Sequence, residues 1–130
     1  MNELHYQLDL MRAMNQKLSD REKMYRLLCD TMDYAYIYYS FEKNSVTMLG
    51  KWDDFFDFQI RDRRDFTKLL EMVDEPYVLP LRDMLFLEKG GQETSSVECM
   101  QKGKKIWLQF SCRIFYEDGR PADQIIVVQN

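Results

Sequence analysis

The chain has few of the residues that form catalytic pairs, disulfide cross-links or repetitive structure. Its 130 residues include one histidine, three cysteines, three prolines and five glycines. The low proline and glycine content excludes collagen-like and low-complexity classes, and an odd cysteine count favours a reducing compartment over a disulfide scaffold. The one histidine is His5, so the rest of the chain can form no Ser–His or Cys–His pair. We therefore expect no enzymatic activity, and no metal site because CxxC and HxxxH spacings are missing.

An excess of basic residues and long apolar runs are also lacking. Lys and Arg number 18 against 22 Asp and Glu, a net charge of −4, which argues against binding to nucleic acid or to an anionic membrane. Apolar stretches such as residues 125–128 fall far short of the roughly 20 residues that a membrane span needs. Residues 1–10 lack the basic start and apolar core of a signal peptide. The sequence therefore predicts a single cytoplasmic domain without a membrane span.

Residues 2–32 contain no proline or glycine and are predicted to be helical. Their 4-3-4-3 spacing is typical of a coiled-coil seam, formed by Leu4, Leu8, Met11, Asn15 and Leu18. A capping box at residues 19–22 separates a leading helix, residues 1–22, from a domain at residues 23–130. The seam predicts a homodimer through Leu4, Leu8, Met11 and Leu18. The alternative is one amphipathic helix lying on its own domain.

The rest of the chain mixes strands with short helices. Period-two patterns and turn residues predict strands at residues 34–40, 46–49, 94–101, 104–116 and 123–129. Helices are predicted at residues 52–58, after a cap at Asp65, and from Pro80, with Leu81, Met84 and Leu85 as the buried stripe of the last. The aromatic first strand is predicted to be covered on both faces. The charged residues 61–65 predict a solvated loop, or alternatively a docking patch.

The loop between the third and fourth strands sets their register. A two-residue turn at residues 102–103 would place Cys99 opposite Ile106, so that apolar side chains meet. In that register Cys112 lies six residues, about 20 Å, beyond the partner of Cys99. These two thiols are therefore not expected to form a disulfide.

Residues 125–128, Ile-Ile-Val-Val, are apolar on both faces. A strand of this kind belongs in the middle of a sheet that is covered on both sides. The short helices are expected to cover one face. The leading helix or a partner subunit would cover the other.

Five stretches match one known family in order and spacing: residues 25–29, 52–56, 96–99, 105–108 and 117–121. They include Trp-Asp-Asp-Phe-Phe at 52–56 and Glu-Asp-Gly-Arg-Pro at 117–121. On these residues, the chain from Lys23 to Asn130 resembles a PAS domain with a tryptophan early in its penultimate strand. It departs from the family at residues 73–77, where Val-Asp-Glu-Pro-Tyr replaces a His-Pro-acidic-Asp stretch. The resemblance implies an α+β fold: a five-stranded antiparallel sheet of order 2-1-5-4-3, short helices on one face and an N-terminal helix.

The resemblance also implies a role in bacterial signal transduction. Such domains are sensory or dimerisation modules ahead of an output domain, which would follow Asn130. A GGDEF-type diguanylate cyclase is the first expectation for that output and a histidine kinase the second. Trp107 is expected to anchor the leading helix or its dimer mate. The alternatives are a ligand-binding receptor module and a constitutive dimerisation module without a ligand.

Bound cofactors are not expected. Haem-binding relatives use a histidine in the helical layer, and flavin-binding relatives with a photoreactive thiol carry Asn-Cys-Arg-Phe-Leu-Gln; this chain has neither. A small-molecule pocket between sheet and helices would be lined by Phe56, Phe66, Leu69, Met84, Leu108, Phe110 and Cys112. The same side chains would equally form a filled core. Arg113 lies on the face opposite Leu108 and is expected to point to solvent.

Overall fold

Five antiparallel strands form the centre of the protein. The computed structural model describes Leu8, Asp9, Arg12 and residues 34–86 and 94–130. The strands are β1 (Ala35–Ser40), β2 (Ser45–Gly50), β3 (Ser95–Met100), β4 (Trp107–Glu117) and β5 (Arg120–Gln129). They follow the spatial order β2-β1-β5-β4-β3. The predicted α+β fold and its strand order are confirmed.

The central position of β5 explains why its sequence is apolar on both faces. Residues 125–128 are all fully buried, and the strand pairs with β1 on one side and β4 on the other. Strand β1 is likewise covered on both faces, as predicted: Tyr36 and Tyr38 are buried on the outer face and Ile37 and Tyr39 on the inner face.

Short helices cover the inner face of the sheet. They are α1 (Trp52–Phe55), α2 (Thr67–Leu70), which follows a 3₁₀ turn at Arg63–Phe66, and α3 (Val78–Phe86), which follows a 3₁₀ turn at Glu75–Tyr77. Helix α3 has Pro80 in its first turn, where a missing N–H costs no hydrogen bond. Its predicted buried stripe is confirmed, with Leu81 and Leu85 fully buried and Met84 half-buried.

Two helix predictions are corrected. Helix α1 ends at Phe55 instead of residue 58, because Phe56 is extended and the indole of Trp52 donates to the carbonyl of Phe58 over 2.6 Å. The cap of the 3₁₀ turn is Asp62 and not Asp65. The Asp62 carboxylate accepts from the backbone N–H of Arg64 at 2.9 Å.

The register between β3 and β4 differs from the prediction by two residues. Cys99 lies opposite Leu108 instead of Ile106. The turn is longer than two residues, because the backbone N–H of Gln101 donates to the carbonyl of Ile106 at 2.7 Å and Lys105 takes a positive φ of 51°. A shift of two leaves every side chain on its predicted face.

The corrected register keeps the two thiols apart. Cys112 now lies four residues, about 13 Å, beyond the partner of Cys99. Both cysteines are buried and free, as the sequence predicts.

Two apolar layers lie on the two faces of the sheet. The inner layer packs the helices against the sheet. The outer layer contains Leu8, Tyr36, Tyr38, Leu49, Phe115, Ile125 and Val127. The N-terminal residues Leu8, Asp9 and Arg12, which are helical, therefore cover the outer face within the same chain. In the described ranges, no helix is both long and apolar enough to cross a membrane.

Candidate functional site

Strands β4 and β5 present charged groups to the N-terminal residues on the outer face. Arg12 donates through Nη2 to Glu117 at 2.7 Å and through Nε to Asp123. Asp123 is almost fully buried and also accepts from the Tyr38 hydroxyl at 2.6 Å. Burial opposes the charge of Arg12, but bonds to Asp123 and Glu117 outweigh that cost and raise the pKa of the guanidinium. One arginine therefore joins both strands of the β4–β5 hairpin to the N-terminus.

A second ion pair lies beside the first. Arg113 of β4 donates through Nη1 to Asp9 at 2.6 Å. The guanidinium carbons of Arg113 and Arg12 lie 4.4 Å and 4.6 Å from the centre of the Phe115 ring, close enough for cation–π attraction. The prediction that Arg113 points to solvent is wrong. The side chain is 6% exposed, because the N-terminal residues cover the face to which it points.

The inner face carries a polar group in the apolar core. Gln124 of β5 is fully buried, and its amide nitrogen donates to the Leu85 carbonyl at 2.8 Å and contacts the Cys112 sulfur at 3.1 Å. Its amide oxygen accepts from Nε of Arg63 at 3.1 Å. Gln124 thus ties the end of α3 to the central strand.

Arg63 reaches inward from the 3₁₀ turn before α2. It donates to the carbonyls of Leu85 and Phe86 at the end of α3, at 3.2 Å and 3.4 Å. Its guanidinium carbon lies 4.9 Å from the centre of the Phe41 ring. A cation is favourable at the carbonyl end of a helix. The predicted solvated loop at residues 61–65 therefore needs correction, because this arginine belongs to the inner face.

The two described cysteines are poor nucleophiles. Burial raises the pKa of Cys99 to about 11. Burial also raises the pKa of Cys112 to about 11, although Gln124 and Arg63 act in the opposite direction. The thiolate is the reactive form of cysteine, so neither side chain is activated. Among the described residues, no three His, Cys, Asp or Glu side chains are grouped as metal ligands.

The seven predicted pocket residues lie together on the inner face. Phe56, Phe66, Leu69, Leu108, Phe110 and Cys112 are buried in one cluster, and Met84 packs half-buried against it. Leu108 also lines a cleft at the end of the sheet. The structure thus brings this set together as a layer of the core. Its use as a ligand pocket stays a prediction.

The predicted dimer residues are placed only in part. Leu8 is fully buried against its own sheet, which is the arrangement expected of a helix lying on its own domain. Trp107 is 49% exposed and packs edge-on against Tyr77, with 5.5 Å between ring centres. Leu4, Met11 and Leu18 lie outside the described residues, as does the boundary between residues 22 and 23.

Sequence reasoning missed Asp9, Arg12, Asp123, Gln124 and Arg63. Alternation along β5 carries a signal for two of them: Asp123 shares a face with the outer apolar residues and Gln124 with the inner ones. A polar side chain in such a register predicts a buried partner. The identity of each partner depends on contacts between distant segments, which no local pattern contains.

Of three comparisons with known proteins, the one with solved structures supports the architecture. No family model and no curated protein matches the chain. A solved structure is similar: a domain described as part of a light and redox sensing histidine kinase from Haloarcula marismortui. It is 15% identical, with a TM-score of 0.54, over 82% of this chain and 96% of that one. The fold of this chain is therefore the PAS-like one, with the last strand at the centre of a five-stranded antiparallel sheet.

Proposed function

We propose that this chain is a sensory and dimerisation module of a cytoplasmic signal-transduction protein, with no catalytic site of its own. The contact between the N-terminal residues and β5 is the observation that carries this proposal. Leu8 packs with Ile125 and Val127, and Arg12 pairs with Asp123 of the same strand. A change in how the N-terminal residues dock acts directly on the central strand.

The position of β5 makes that contact useful for signalling. Hydrogen bonds join the strand to β1 and β4, and Gln124 joins it to α3 on the inner face. The strand ends at Gln129, so an output domain after Asn130 would continue from it. The N-terminus, the helical layer and the outgoing chain therefore share one structural element.

The output is proposed as a GGDEF-type diguanylate cyclase or a histidine kinase. The family resemblance favours the cyclase, and the similar domain from Haloarcula marismortui, described as part of a histidine kinase, supports the kinase equally. Reading the coding sequence beyond Asn130 distinguishes the two. A catalytic or binding domain of any other class there would contradict both.

The coupling is tested by hydrogen exchange on Arg12→Gln. Losing the cation leaves Asp123 buried beside Tyr38 without its charged partner, so we expect faster exchange along β5. The matched control is Arg82→Gln, which replaces an exposed arginine of α3. If β5 amides exchange equally in Arg12→Gln, Arg82→Gln and the unchanged protein, the N-terminal contact does not act on the strand.

Dimerisation is proposed through the exposed surface around Trp107. This is one of two large apolar side chains that stand exposed in the described ranges; the other is Leu79 of α3, 63% exposed. A tryptophan at the centre of an interface commonly contributes enough that its loss weakens association about 30-fold or more. We expect sedimentation to show a dimer that Trp107→Glu weakens and Leu79→Glu does not. A protein that is monomeric throughout, or equal effects of the two changes, would contradict this interface.

A ligand-binding receptor module is the second candidate. The pair of half-buried Arg63 and fully buried Gln124 favours it, because polar groups beside an apolar site can fix the orientation of a ligand. The pair lies next to the predicted pocket residues Phe66 and Cys112. Native mass spectrometry of the purified protein tests this candidate. A co-purified small molecule supports a receptor, and the mass of the bare chain supports a dimerisation module without a ligand.

A further inference from the structure

A small cleft opens at the end of the sheet where β3 joins β4. Its volume is about 270 Å³. The cleft reaches Leu108 of β4, six residues from Ile114, which pairs with Gln124. A strand rises about 3.3 Å per residue, so these six residues span about 20 Å. The cleft is therefore separate from the polar pair of Arg63 and Gln124. Neither the fold nor the proposed sensory role accounts for it.

The inner part of the cleft is apolar. Phe55 closes it from the end of α1, and Ile106 and Leu108 line it from the start of β4. Ligand sites in proteins are typically concave and apolar, with a few polar groups that fix orientation. These three side chains provide a surface for the apolar body of a small molecule.

Two lysines lie at the rim and come from different parts of the chain. Lys51 follows β2, and Lys104 lies in the turn between β3 and β4. In the part of the chain that the structure describes, neither ammonium group has a carboxylate within ion-pair distance. Of the residues that the structure describes, no Asp or Glu lines the cleft, and its remaining lining residue is Asn130. Two cations at the rim therefore favour an anionic ligand group.

Gln101 adds a neutral donor to the same cleft. It is 3% exposed, and its amide nitrogen donates to the Phe55 carbonyl over 3.4 Å, a long hydrogen bond. A carboxamide carries two N–H donors. Because Gln101 lines the cleft, we expect its second N–H to donate to an oxygen of the ligand.

We propose that this cleft binds a small amphipathic anion, with its apolar body on Phe55, Ile106 and Leu108. The carboxylate or phosphate head lies between Lys51 and Lys104. Since a water molecule takes about 30 Å³ of liquid, the cleft suits a ligand of roughly ten non-hydrogen atoms. The proposal does not depend on the sensory role, because binding here is measurable without dimerisation or an output domain.

Titration calorimetry on the full chain at low ionic strength tests the proposal. The probes are sodium octanoate, octyl phosphate, octan-1-ol and octylamine, which share one chain and differ in the head group. We expect an anionic probe to bind with a dissociation constant of about 0.1 mM, typical of a ligand this small. The alcohol and the amine should bind at least ten-fold more weakly. Comparing the dissociation constants of octanoate and octyl phosphate then identifies the preferred head group.

Substitution of the two rim lysines tests whether the anion binds in this cleft. One exposed ion pair changes an equilibrium about two- to five-fold, so Lys51→Gln with Lys104→Gln should weaken anion binding about ten-fold. Lys102→Gln is the matched control, because this exposed lysine is in the same turn but does not line the cleft. The side-chain amide protons of Gln101 should shift with the anion. Anion binding no tighter than that of octan-1-ol, or unchanged in the double variant, would overturn the proposal.

Discussion

Arg113 on β4 donates through Nη1 to Oδ1 of Asp9 at 2.6 Å, which joins residues 104 positions apart in the sequence. The arginine is 6% exposed and the Asp9 side chain 42% exposed, so the pair lies at the margin of the outer layer. In the described part of the chain, Nε of Arg113 has no hydrogen-bond partner. The buried cation therefore depends on Asp9 and on the Phe115 ring for its compensation.

Replacing Asp9 with asparagine should destabilise the protein. The change keeps the size of the side chain but removes the counter-charge that Asp9 gives to the buried Arg113 cation, which is strongly unfavourable. Because Asp9 is partly exposed, we expect a loss of about 1–2 kcal/mol in the free energy of unfolding, measured by urea titration. Glu42→Gln, at an exposed turn position, is the control and should change stability by less than about 0.5 kcal/mol. Equal stability of the two variants would show that the pair contributes nothing.

The pattern of apolar residues predicted the strands and their faces, while the strand order came from the family resemblance. Apolar residues on both faces placed residues 125–128 at the centre of the sheet. Period-two alternation assigned the faces of β4 correctly, because each side chain of a buried strand must match its layer. It did not fix the β3–β4 register. The turn there uses a positive φ at Lys105, a position where local preference would place glycine or asparagine.

The errors at Arg113 and Arg63 have one physical cause. A charged side chain is buried only where another segment covers and pairs with it, and those segments lie far away in sequence. The two-residue periodicity correctly predicted the sheet face on which Arg113 lies. It could not predict that the N-terminal residues cover that face. The predicted core set at Phe66 and Phe110 needed no such partner and was placed together as expected.

Gln124→Met should weaken the link between the central strand and α3. Methionine has a similar shape, but it cannot donate to the Leu85 carbonyl or accept from Arg63. We expect a loss of about 1–3 kcal/mol, since the two hydrogen bonds of the buried amide to Leu85 and Arg63 are removed. Gln129→Met, near the end of the same strand and half-buried, is the control and should cost less than about 0.5 kcal/mol. A loss in Gln124→Met no greater than that of its control would assign the amide no structural role.

Alkylation of Cys99 and Cys112 should be slow in the folded protein. At pH 8 a thiol with a pKa of about 11 is ionised about 200-fold less than one at the ordinary value near 8.5. Iodoacetamide labelling, followed by mass spectrometry of each peptide, should be at least about 100-fold slower in the native than in the guanidinium-unfolded chain, because burial also restricts access of the reagent. Equally fast labelling of both states would contradict the burial of these thiols.

The same raised pKa values predict how stability changes with alkaline pH. The folded state keeps both thiols protonated, whereas the unfolded state releases the protons from about pH 8.5 upward. The contribution of the two thiols to the free energy of unfolding is complete below pH 8.5 and is lost as the pH rises towards 11. Unfolding by urea at pH 7, 9 and 10 should give decreasing free energies, with a smaller decrease in Cys112→Ala. An equal decrease in that variant would exclude this thiol as the cause.

Gly50 and Gly103 allow a steric test in which the backbone conformation is matched. Their φ angles are 77° and 78°, so alanine has the same conformational cost at both, about 1 kcal/mol. A Cβ atom at Gly50 would lie 2.2 Å from the carbonyl oxygen of Tyr34, whereas one at Gly103 would meet nothing within 4 Å. We expect Gly50→Ala to lose at least about 2 kcal/mol more than Gly103→Ala in urea unfolding, because the end of β2 must shift away from Tyr34. Equal losses would mean that the backbone at Tyr34 yields without cost, and that the close approach of these two segments does not hold β2 in place.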